Sequence, residues 1–283
     1  MLGVIGGTGL YDLPDLQDVR LQEIETPWGS PSAPVVIGKL ASGSEVAFIA
    51  RHGIGHKYNP SEVPYQANIA ALKLLGVTHV LAVNAVGSLN IDMPPRSAVV
   101  PDQIIDRTAG QRPRTFFEGG VVAHVGMADP FCPHLRERIL HFAQESQELV
   151  EDGGTYICIE GPQFSTRAES NLYRQWGADV IGMTAMPESR LAREAGLCYA
   201  SLAMVTDFDV WHESEDDVSL ETIQRVLAEN VETARNVVRG LASDAHPACD
   251  CAGGTTSAVM THDIPDDLVN RVNLITRAPG KLQ

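Results

Sequence analysis

Apolar residues along this chain follow two alternating patterns: short unbroken runs, and longer stretches in which they recur every three or four positions. The runs at residues 46–50 and 79–83 predict buried strands, and the stretch 64–75 between them predicts a helix that Gly76 ends. Further strands are predicted at residues 156–159, 179–183 and 198–205. Strands that alternate with helices predict an α/β fold with a mostly parallel or mixed central β-sheet flanked by helices.

The longest helical pattern covers residues 219–242, with charged residues opposite one apolar face formed by Leu220, Ile223, Leu227, Ala234 and Val238. After Ser243 the composition becomes polar, small-sided and rich in turn residues, and only one short helix is predicted, near residues 265–275. No repeat or linker divides the chain. We therefore predict one domain over residues 1–243 and a C-terminal extension over residues 244–283.

The charge balance limits the possible partners. The 283 residues carry 21 Lys and Arg against 36 Asp and Glu, a net charge of −15. Nucleic acids and anionic membranes bind basic surfaces, so we expect neither as a partner. The sequence lacks a basic segment followed by an apolar one and any run of membrane-spanning length, which predicts a cytoplasmic protein.

Five cysteines are too few and too scattered for a disulfide framework. We expect Cys132, Cys158 and Cys198 to be inert thiols in or near the core. Cys249 and Cys251 are separated by one residue, a closer spacing than standard zinc sites use. A structural or redox role and a role as inert or exposed thiols both stay open for this pair.

Polar residues follow four of the predicted strands, at the strand ends where open α/β sheets bind their ligands. Together they offer a guanidinium, an imidazole, threonine hydroxyls and flexible backbone amides, a set suited to a small tetrahedral oxyanion. The four segments are residues 6–9 (GGTG), 51–53 (RHG), 84–88 (NAVGS) and 182–184 (GMT).

The glycine-rich turn at residues 6–9 leaves two alternatives open, a phosphate cradle and a plain tight turn. A dinucleotide fingerprint would need a third glycine further on, and a Walker loop would need a Gly-Lys-Ser/Thr sequence; the chain has neither. The signatures G-x-S-x-G and H-E-x-x-H are also absent, which argues against two common classes of hydrolase.

Asp207 and Asp209 follow the last predicted strand. If that strand continues through them, both carboxylates face the same side. The pair would then recognise a group rich in hydrogen-bond donors, or one member would carry a proton at a raised pKa. A solvated strand end is the alternative. No residues nearby complete a metal site, and glycines between His52 and His56 argue against a helical histidine pair, so we predict no metal site.

Seven segments in this order resemble the trimeric purine nucleoside phosphorylase superfamily, and within it the S-methyl-5′-thioadenosine phosphorylases. They are GVIGGTGLYDL, ARHGIGHKYNPSEVPYQANIAALK, NAVGSL, MADPFCP, IEGPQFSTRAES, GADVIGMTAMPE and YASLAMVTDFDVW. The resemblance covers residues 2–242. It implies a nucleoside phosphorylase-like domain, a homotrimer that can pair into a hexamer, and no metal or organic cofactor, with inorganic phosphate as co-substrate.

The resemblance also assigns site residues. The phosphate-binding positions are Thr8, Arg51, His52, Asn84, Ala85 and Thr184. The nucleoside-binding positions are Phe164, Met183, Asp207, Asp209, Leu220, Ile223 and His124. Within this set His124 reaches the sugar pocket of a neighbouring subunit, and Leu220 and Ile223 line the wall around the 5′-substituent.

The implied reaction is reversible phosphorolysis of S-methyl-5′-thioadenosine to adenine and 5-methylthioribose 1-phosphate, a step of purine and methionine salvage. Asp207 and Asp209 would be catalytic. Asp207 is the candidate acid at N7 of the leaving purine, and Asp209 would orient it or accept from the 6-amino group. Enzymes for 6-oxopurines in this superfamily carry Asn at the position of Asp207, which favours adenine here.

Three positions depart from the family pattern. Asn84 stands in place of Thr, Gly182 in place of Asn, and Gln224 in place of an apolar residue of the 5′-pocket. A polar Gln224 would admit a 5′-hydroxyl, so a broader adenosine or inosine phosphorylase and a methylthioinosine phosphorylase stay open as alternatives. A non-catalytic nucleotide-binding module is the alternative from another functional class.

Overall fold

The computed structural model describes residues 1–7, 10, 13–212, 220–244, 249, 251 and 255–277, with backbone but not side chains for residues 220–225, 227–230 and 256. In this part of the chain eleven strands form one mixed sheet. The strands are β1 Leu2–Gly6, β2 Gln17–Gln22, β3 Val35–Lys39, β4 Glu45–Ala50, β5 His79–Ser88, β6 Ala98–Val100, β7 Gln103–Arg107, β8 Val150–Asp152, β9 Thr155–Ile159, β10 Val180–Gly182 and β11 Cys198–Asp207. The helices are α1 Tyr65–Leu74, α2 Pro133–Gln144, α3 Arg167–Gln175, α4 Ala185–Glu194, α5 Leu220–Ser243, α6 Thr255–Ala258 and α7 Asp266–Thr276.

Strand β5 is the centre of the sheet. Along one edge it pairs in parallel with β11 from His79 to Gly87, and along the other it pairs first with β1 in parallel and then with β10 antiparallel. The main path of the sheet is β2-β3-β4-β1-β5-β10-β9-β7, and β11 continues on its other edge to β6 and then β8. Parallel and antiparallel pairs are both present, as the predicted mixed sheet requires.

The predicted strands and helices are present with bounds shifted by a few residues. Gly76, Gly177 and Gly196 have positive φ values of 77°, 79° and 63° just beyond the ends of α1, α3 and α4, as expected for helix-terminating glycines. The predicted end of the strand at residue 83 is wrong. β5 runs on to Ser88, because β11 and β10 pair with the segment that we expected to follow the strand.

Helix α5 packs against β11 and α2. Its described buried side chains include Val226, Ala234, Val237 and Leu241. In the extension, α7 packs against α1 and buries Ile275, so this part of the chain adds to the same core. No helix among the described residues is both long and apolar enough to cross a membrane.

Candidate active site

The central sheet is uncovered at one point near the carboxyl end of β5. Ala85 is exposed, although the residues on both sides of it in the strand are buried. A strand that is paired along both edges exposes a side chain only where nothing packs on that face, so the face of β5 over Ala85 is open, and this opening is here called the cleft. The carboxyl ends of β1, β4 and β11 lie beside this cleft, because β1 pairs with both β4 and β5 and β11 pairs with β5.

Arg51, the residue after β4, lies buried under these strand ends. Its Nε and Nη2 donate to the two carboxylate oxygens of Glu188 on α4 at 2.8 and 2.9 Å, a bidentate ion pair. It also donates to the carbonyl oxygens of Val83 and Ile5 at 3.0 and 3.3 Å. Burial lowers the pKa of Arg51, but the Glu188 carboxylate outweighs burial, and the net change raises it. At most one of its five N–H groups is left for an anion.

His52 is held as a neutral imidazole. Its Nδ1 lies 2.9 Å from the carbonyl oxygen of Tyr58, so Nδ1 carries the hydrogen and donates it. Burial and the charge of Arg51 lower the pKa of His52 to about 4, and its ring stacks on His56 with centroids 4.2 Å apart. Nε2 of His52 is therefore an acceptor at neutral pH.

Asn84, Thr184 and Ser201 form a hydrogen-bonded chain across three elements. The Ser201 hydroxyl on β11 donates to Oδ1 of Asn84 at 2.8 Å, and Nδ2 of Asn84 donates to the Thr184 hydroxyl at 2.8 Å. All three residues are buried, and Thr184 precedes the first turn of α4. Because Nδ2 fills an acceptor position of Thr184, the threonine hydroxyl hydrogen stays available to another acceptor.

Asp207 ends β11, and the strand does not continue to Asp209, whose φ is +51°. The two carboxyl groups nevertheless lie on one side of the strand end, because a side chain at Gly87 would meet Oδ1 of Asp207 at 2.9 Å and Cβ of Asp209 at 3.3 Å. The Asp209 amide donates to Oδ1 of Asp207 at 2.8 Å, and the Thr206 hydroxyl donates to Oδ2 at 2.7 Å. Both oxygens of Asp207 are thus engaged.

Asp209 is the less satisfied of the two acids. Both side chains are buried, yet Oδ2 of Asp209 has no hydrogen-bond partner among the described residues. Burial raises the pKa of Asp209 to about 6 and the negative charge of Asp207 adds to the increase, while the Ser170 hydroxyl and the Val210 amide oppose it. The pair can therefore hold one proton near neutral pH and offers a buried oxygen to a ligand.

Met183 and Phe164 lie on segments held by a second buried arginine that sequence reasoning missed. Arg112 donates from Nη1 to the Met183 and Met186 carbonyl oxygens at 2.6 and 2.7 Å, and from Nη2 to the Glu160 carbonyl oxygen at 2.5 Å. These hydrogen bonds link the segment that precedes α4 to the segment that follows β9. Phe164 follows that second segment, and its ring is 47 % exposed.

Gly182, one of the departures from the family pattern, is packed against a tyrosine. A Cβ at Gly182 would lie 1.9 Å from the Tyr156 hydroxyl oxygen, so the tyrosine fills the space of the missing side chain. Tyr156 is completely buried, and its hydroxyl has no hydrogen-bond partner in the described part of the chain. Burial raises the pKa of Tyr156 well above its ordinary value.

The structure thus brings together the strand-end residues that the sequence singled out: Arg51, His52, Asn84, Ala85, Met183, Thr184, Asp207 and Asp209. His124 is exposed, and its amide donates to the Ala258 carbonyl oxygen, with no contact to the other site residues among those described. Thr8 and the side chains of Leu220, Ile223 and Gln224 lie outside the described residues. Glu188, Arg112 and Tyr156 carry no sequence signal, because they act through burial and contacts with distant segments.

Comparison with known proteins shows which family the chain belongs to. The profile of the phosphorylase superfamily matches residues 1–243. The S-methyl-5′-thioadenosine phosphorylase of Geobacter sulfurreducens is 49 % identical over 97 % of this chain and 97 % of its own length. The crystal structure of a methylthioadenosine phosphorylase from an Antarctic soil metagenomic library superposes with a TM-score of 0.92 at 45 % identity, over 97 % of this chain and 98 % of that one.

A third relative carries a broader name. A mutant of the adenosine/methylthioadenosine phosphorylase from Schistosoma mansoni, solved in complex with methylthioadenosine, superposes with a TM-score of 0.84 at 34 % identity, over 92 % of this chain and 98 % of that one. The chain described here therefore belongs to the phosphorylase superfamily and, within it, to the family of the S-methyl-5′-thioadenosine phosphorylases.

Proposed function

We propose that this enzyme catalyses the reversible phosphorolysis of S-methyl-5′-thioadenosine to adenine and 5-methylthioribose 1-phosphate. The observation that carries the proposal is the placement of a buried acid pair, Asp207 and Asp209, beside the same uncovered strand end as Arg51, His52 and Thr184. One side of the cleft is suited to an anion and the other to a group that donates hydrogen bonds. Relatives that match nearly the whole chain carry the name of this activity.

The phosphate subsite is proposed on three kinds of groups. Arg51 provides positive charge from its buried position under the strand ends, Thr184 provides a hydroxyl hydrogen, and His52 provides an acceptor at Nε2. A neutral imidazole acceptor suits the protonated oxygen of HPO₄²⁻, which would donate to it. A phosphate dianion bound beneath the sugar stabilises the positive charge that develops as the N-glycosidic bond breaks, and then bonds to the anomeric carbon.

The leaving purine takes up negative charge, and the acid pair is placed to neutralise it. In our proposal Asp207 faces N7 of adenine, and the proton that the pair holds reaches N7 as the bond breaks. Of the two acids, Asp209 takes up the proton first, since burial raises its pKa to about 6 and both oxygens of Asp207 accept hydrogen bonds. General-acid assistance of this kind contributes ~10²–10⁴-fold to the rate.

We extend the proposal to the co-substrate, the cofactors and the assembly of the enzyme. Inorganic phosphate is the second substrate, and the chemistry needs no metal or organic cofactor, because phosphate and a carboxyl group neutralise both developing charges. We also propose that the enzyme is a cytoplasmic homotrimer that acts in purine and methionine salvage. A hexamer built from two such trimers is the alternative assembly. The exposure of His124 supports the trimer, because a residue lent to a neighbouring sugar pocket must project from its own subunit.

Adenosine is the second candidate substrate. Gln224 would place a polar group in the 5′-pocket, and the Schistosoma mansoni relative is named for both adenosine and methylthioadenosine. An apolar pocket discriminates against a hydroxyl by only ~10²-fold, so one polar side chain in the 5′-pocket would be enough to admit adenosine as a substrate.

A nucleoside panel tests the proposal. Methylthioadenosine, adenosine, inosine and methylthioinosine are each incubated with the enzyme with and without phosphate, and the free base and sugar 1-phosphate are measured. We expect adenine from methylthioadenosine only with phosphate. Release of base without phosphate would identify a hydrolytic nucleosidase, and tight binding without turnover would identify a binding module. Rates on adenosine comparable to those on methylthioadenosine would establish the broader specificity.

A further inference from the structure

Four of the five cysteines meet in one place. The Sγ atoms of Cys132, Cys198, Cys249 and Cys251, here called the thiol cluster, all lie within 4.8 Å of one another. Cys249 and Cys251 have their Sγ atoms 3.2 Å apart, and Cys132 and Cys249 have theirs 3.5 Å apart. The four residues come from three separate places: the residue preceding α2, the first residue of β11, and the C-terminal extension.

The spacing of the four sulfur atoms suits a tetrahedral metal ion. Zinc bound by four thiolates has Zn–S distances of about 2.3 Å, which places the sulfur atoms about 3.8 Å from each other. The separations of 3.2 and 3.5 Å lie below that value and no pair of sulfur atoms is more than 4.8 Å apart, so small side-chain shifts would complete the site. Three of the thiols are buried, and the partly exposed Cys249 leaves a path for the ion.

We propose that the thiol cluster is a structural Zn²⁺ site that fastens the C-terminal extension to the start of β11. Four thiolates without an oxygen or imidazole ligand favour zinc over harder cations. All four coordination positions are taken by protein, which is typical of a structural site and leaves none for substrate. Each thiol loses a proton on binding, so one Zn²⁺ replaces four protons and no oxidant is involved.

The surroundings favour the net negative charge of such a centre. Cys132 lies at the N-terminus of the twelve-residue helix α2, where unpaired backbone N–H groups stabilise a thiolate. Arg193 lines the same small cleft as Cys132 and Cys251. A cationic side chain and a helix N-terminus thus converge on the four sulfur atoms.

The position of the cluster separates it from the reaction. Cys198 begins β11 and Asp207 ends it, a distance of roughly 30 Å along an extended strand. The proposed zinc therefore takes no part in phosphorolysis. The one-residue spacing of Cys249 and Cys251 hid this site from sequence analysis, because the other two ligands lie in the core more than fifty residues upstream.

Metal content and cobalt substitution test the proposal on the full-length, untagged chain purified under reducing conditions. We expect elemental analysis to find about one zinc per chain. Removal of the metal and addition of Co²⁺ should produce the visible ligand-field bands and sulfur-to-cobalt charge transfer of a tetrahedral thiolate site. The double variant Cys249→Ser/Cys251→Ser should lose both signals. Cys158→Ser is the matched control, because Cys158 is buried outside the cluster and its loss should leave the zinc content unchanged.

Several results would overturn the proposal. Reduced wild-type protein with far less than one zinc per chain and no cobalt–thiolate spectrum would exclude the site, and this measurement needs no variant to fold. Stoichiometric iron in place of zinc would reject the zinc assignment. Equal zinc in the double variant would place the metal elsewhere. A protein mass reduced by the hydrogens of disulfide bonds, with the cluster thiols unreactive until reduction, would show instead that the cysteines cross-link.

Discussion

The two sides of the cleft differ in how completely their buried charges are paired. On the side proposed for phosphate, Arg51 is fixed by both oxygens of Glu188 and by two carbonyl oxygens, and Glu188 also accepts from the Tyr199 hydroxyl at 2.9 Å. On the side proposed for the base, two acids lie together, and Oδ2 of Asp209 has no hydrogen-bond partner among the described residues. The first arrangement stabilises the fold, whereas the second costs stability until a ligand supplies hydrogen-bond donors.

The largest effect is expected from Asp207→Asn, which tests the base side. Loss of the carboxylate next to the purine should lower kcat/KM for methylthioadenosine and adenosine by ~10²–10⁴-fold, because an amide cannot share a proton with Asp209. The relative rate on inosine should rise, since an amide can donate to a 6-oxo group. Steady-state kinetics on the nucleoside panel measures both effects. An unchanged ratio between adenosine and inosine would mean that the base is recognised elsewhere.

The phosphate side is tested by Glu188→Gln. The variant keeps the shape of the side chain but leaves the buried Arg51 charge without its anion, so the free energy of unfolding should fall by about 3–5 kcal/mol. Urea denaturation at constant protein concentration measures the change. Glu145→Gln is the control, because Glu145 is exposed and pairs with the exposed His141, so its loss should cost at most about 0.5 kcal/mol. Equal losses in the free energy of unfolding of both variants would contradict the conclusion that the buried pair with Arg51 stabilises the fold.

Asp209→Asn should raise stability while it lowers activity. Burial raises the pKa of Asp209 to about 6 in the folded protein from its ordinary value of 3.8, so the folded state binds more protons between these values. The wild type is therefore penalised progressively as the pH rises from about 4 to above 6. The variant lacks this penalty and should be more stable by on the order of 2 kcal/mol at pH 8. Asparagine also tolerates the left-handed backbone at this position.

Thermal unfolding of wild type and Asp209→Asn across the range from pH 4 to pH 8 checks this prediction. The difference in Tm should be largest at pH 8 and should become small at pH 4, because the wild-type carboxyl is protonated in both states only below its ordinary pKa of 3.8. A difference that does not change with pH would show that packing, not the acid pair, sets the stability at this site.

The smallest effect is expected from Tyr156→Phe, with Tyr199→Phe as its matched counterpart. Removing the Tyr156 hydroxyl should leave the free energy of unfolding unchanged or raise it by up to about 1 kcal/mol, because that hydroxyl has no hydrogen-bond partner in the described structure. Removing the Tyr199 hydroxyl should lower it by about 1.5–3 kcal/mol, because it donates to the charged Glu188. Both are measured by urea denaturation. If both variants lost a similar amount of unfolding free energy, the Tyr156 hydroxyl would have to form a hydrogen bond as the Tyr199 hydroxyl does.

The fold and the grouping of the polar strand-end residues were predictable because their signals are local. Unbroken apolar runs and helix-ending glycines located β4, α1 and β11 to within a few residues, and the polar residues at strand ends meet because strands of one sheet end together. The continuation of β5 to Ser88 was not predictable, because pairing with β10 and β11 decides it. The same holds for Asp209, whose left-handed backbone ends the strand yet leaves both carboxyls beside Gly87.

The sequence by itself determined the α/β architecture, the set of polar groups at the strand ends and the resemblance to the nucleoside phosphorylases, because periodicity, turn residues and motifs act over short stretches of chain. Only the tertiary structure decided which charges are paired. It placed Glu188 against Arg51, left Oδ2 of Asp209 without a hydrogen-bond partner among the described residues, and brought two core cysteines next to Cys249 and Cys251. Burial and contacts between distant segments control charge, pKa and metal affinity, and neither is encoded in the spacing of residues along the chain.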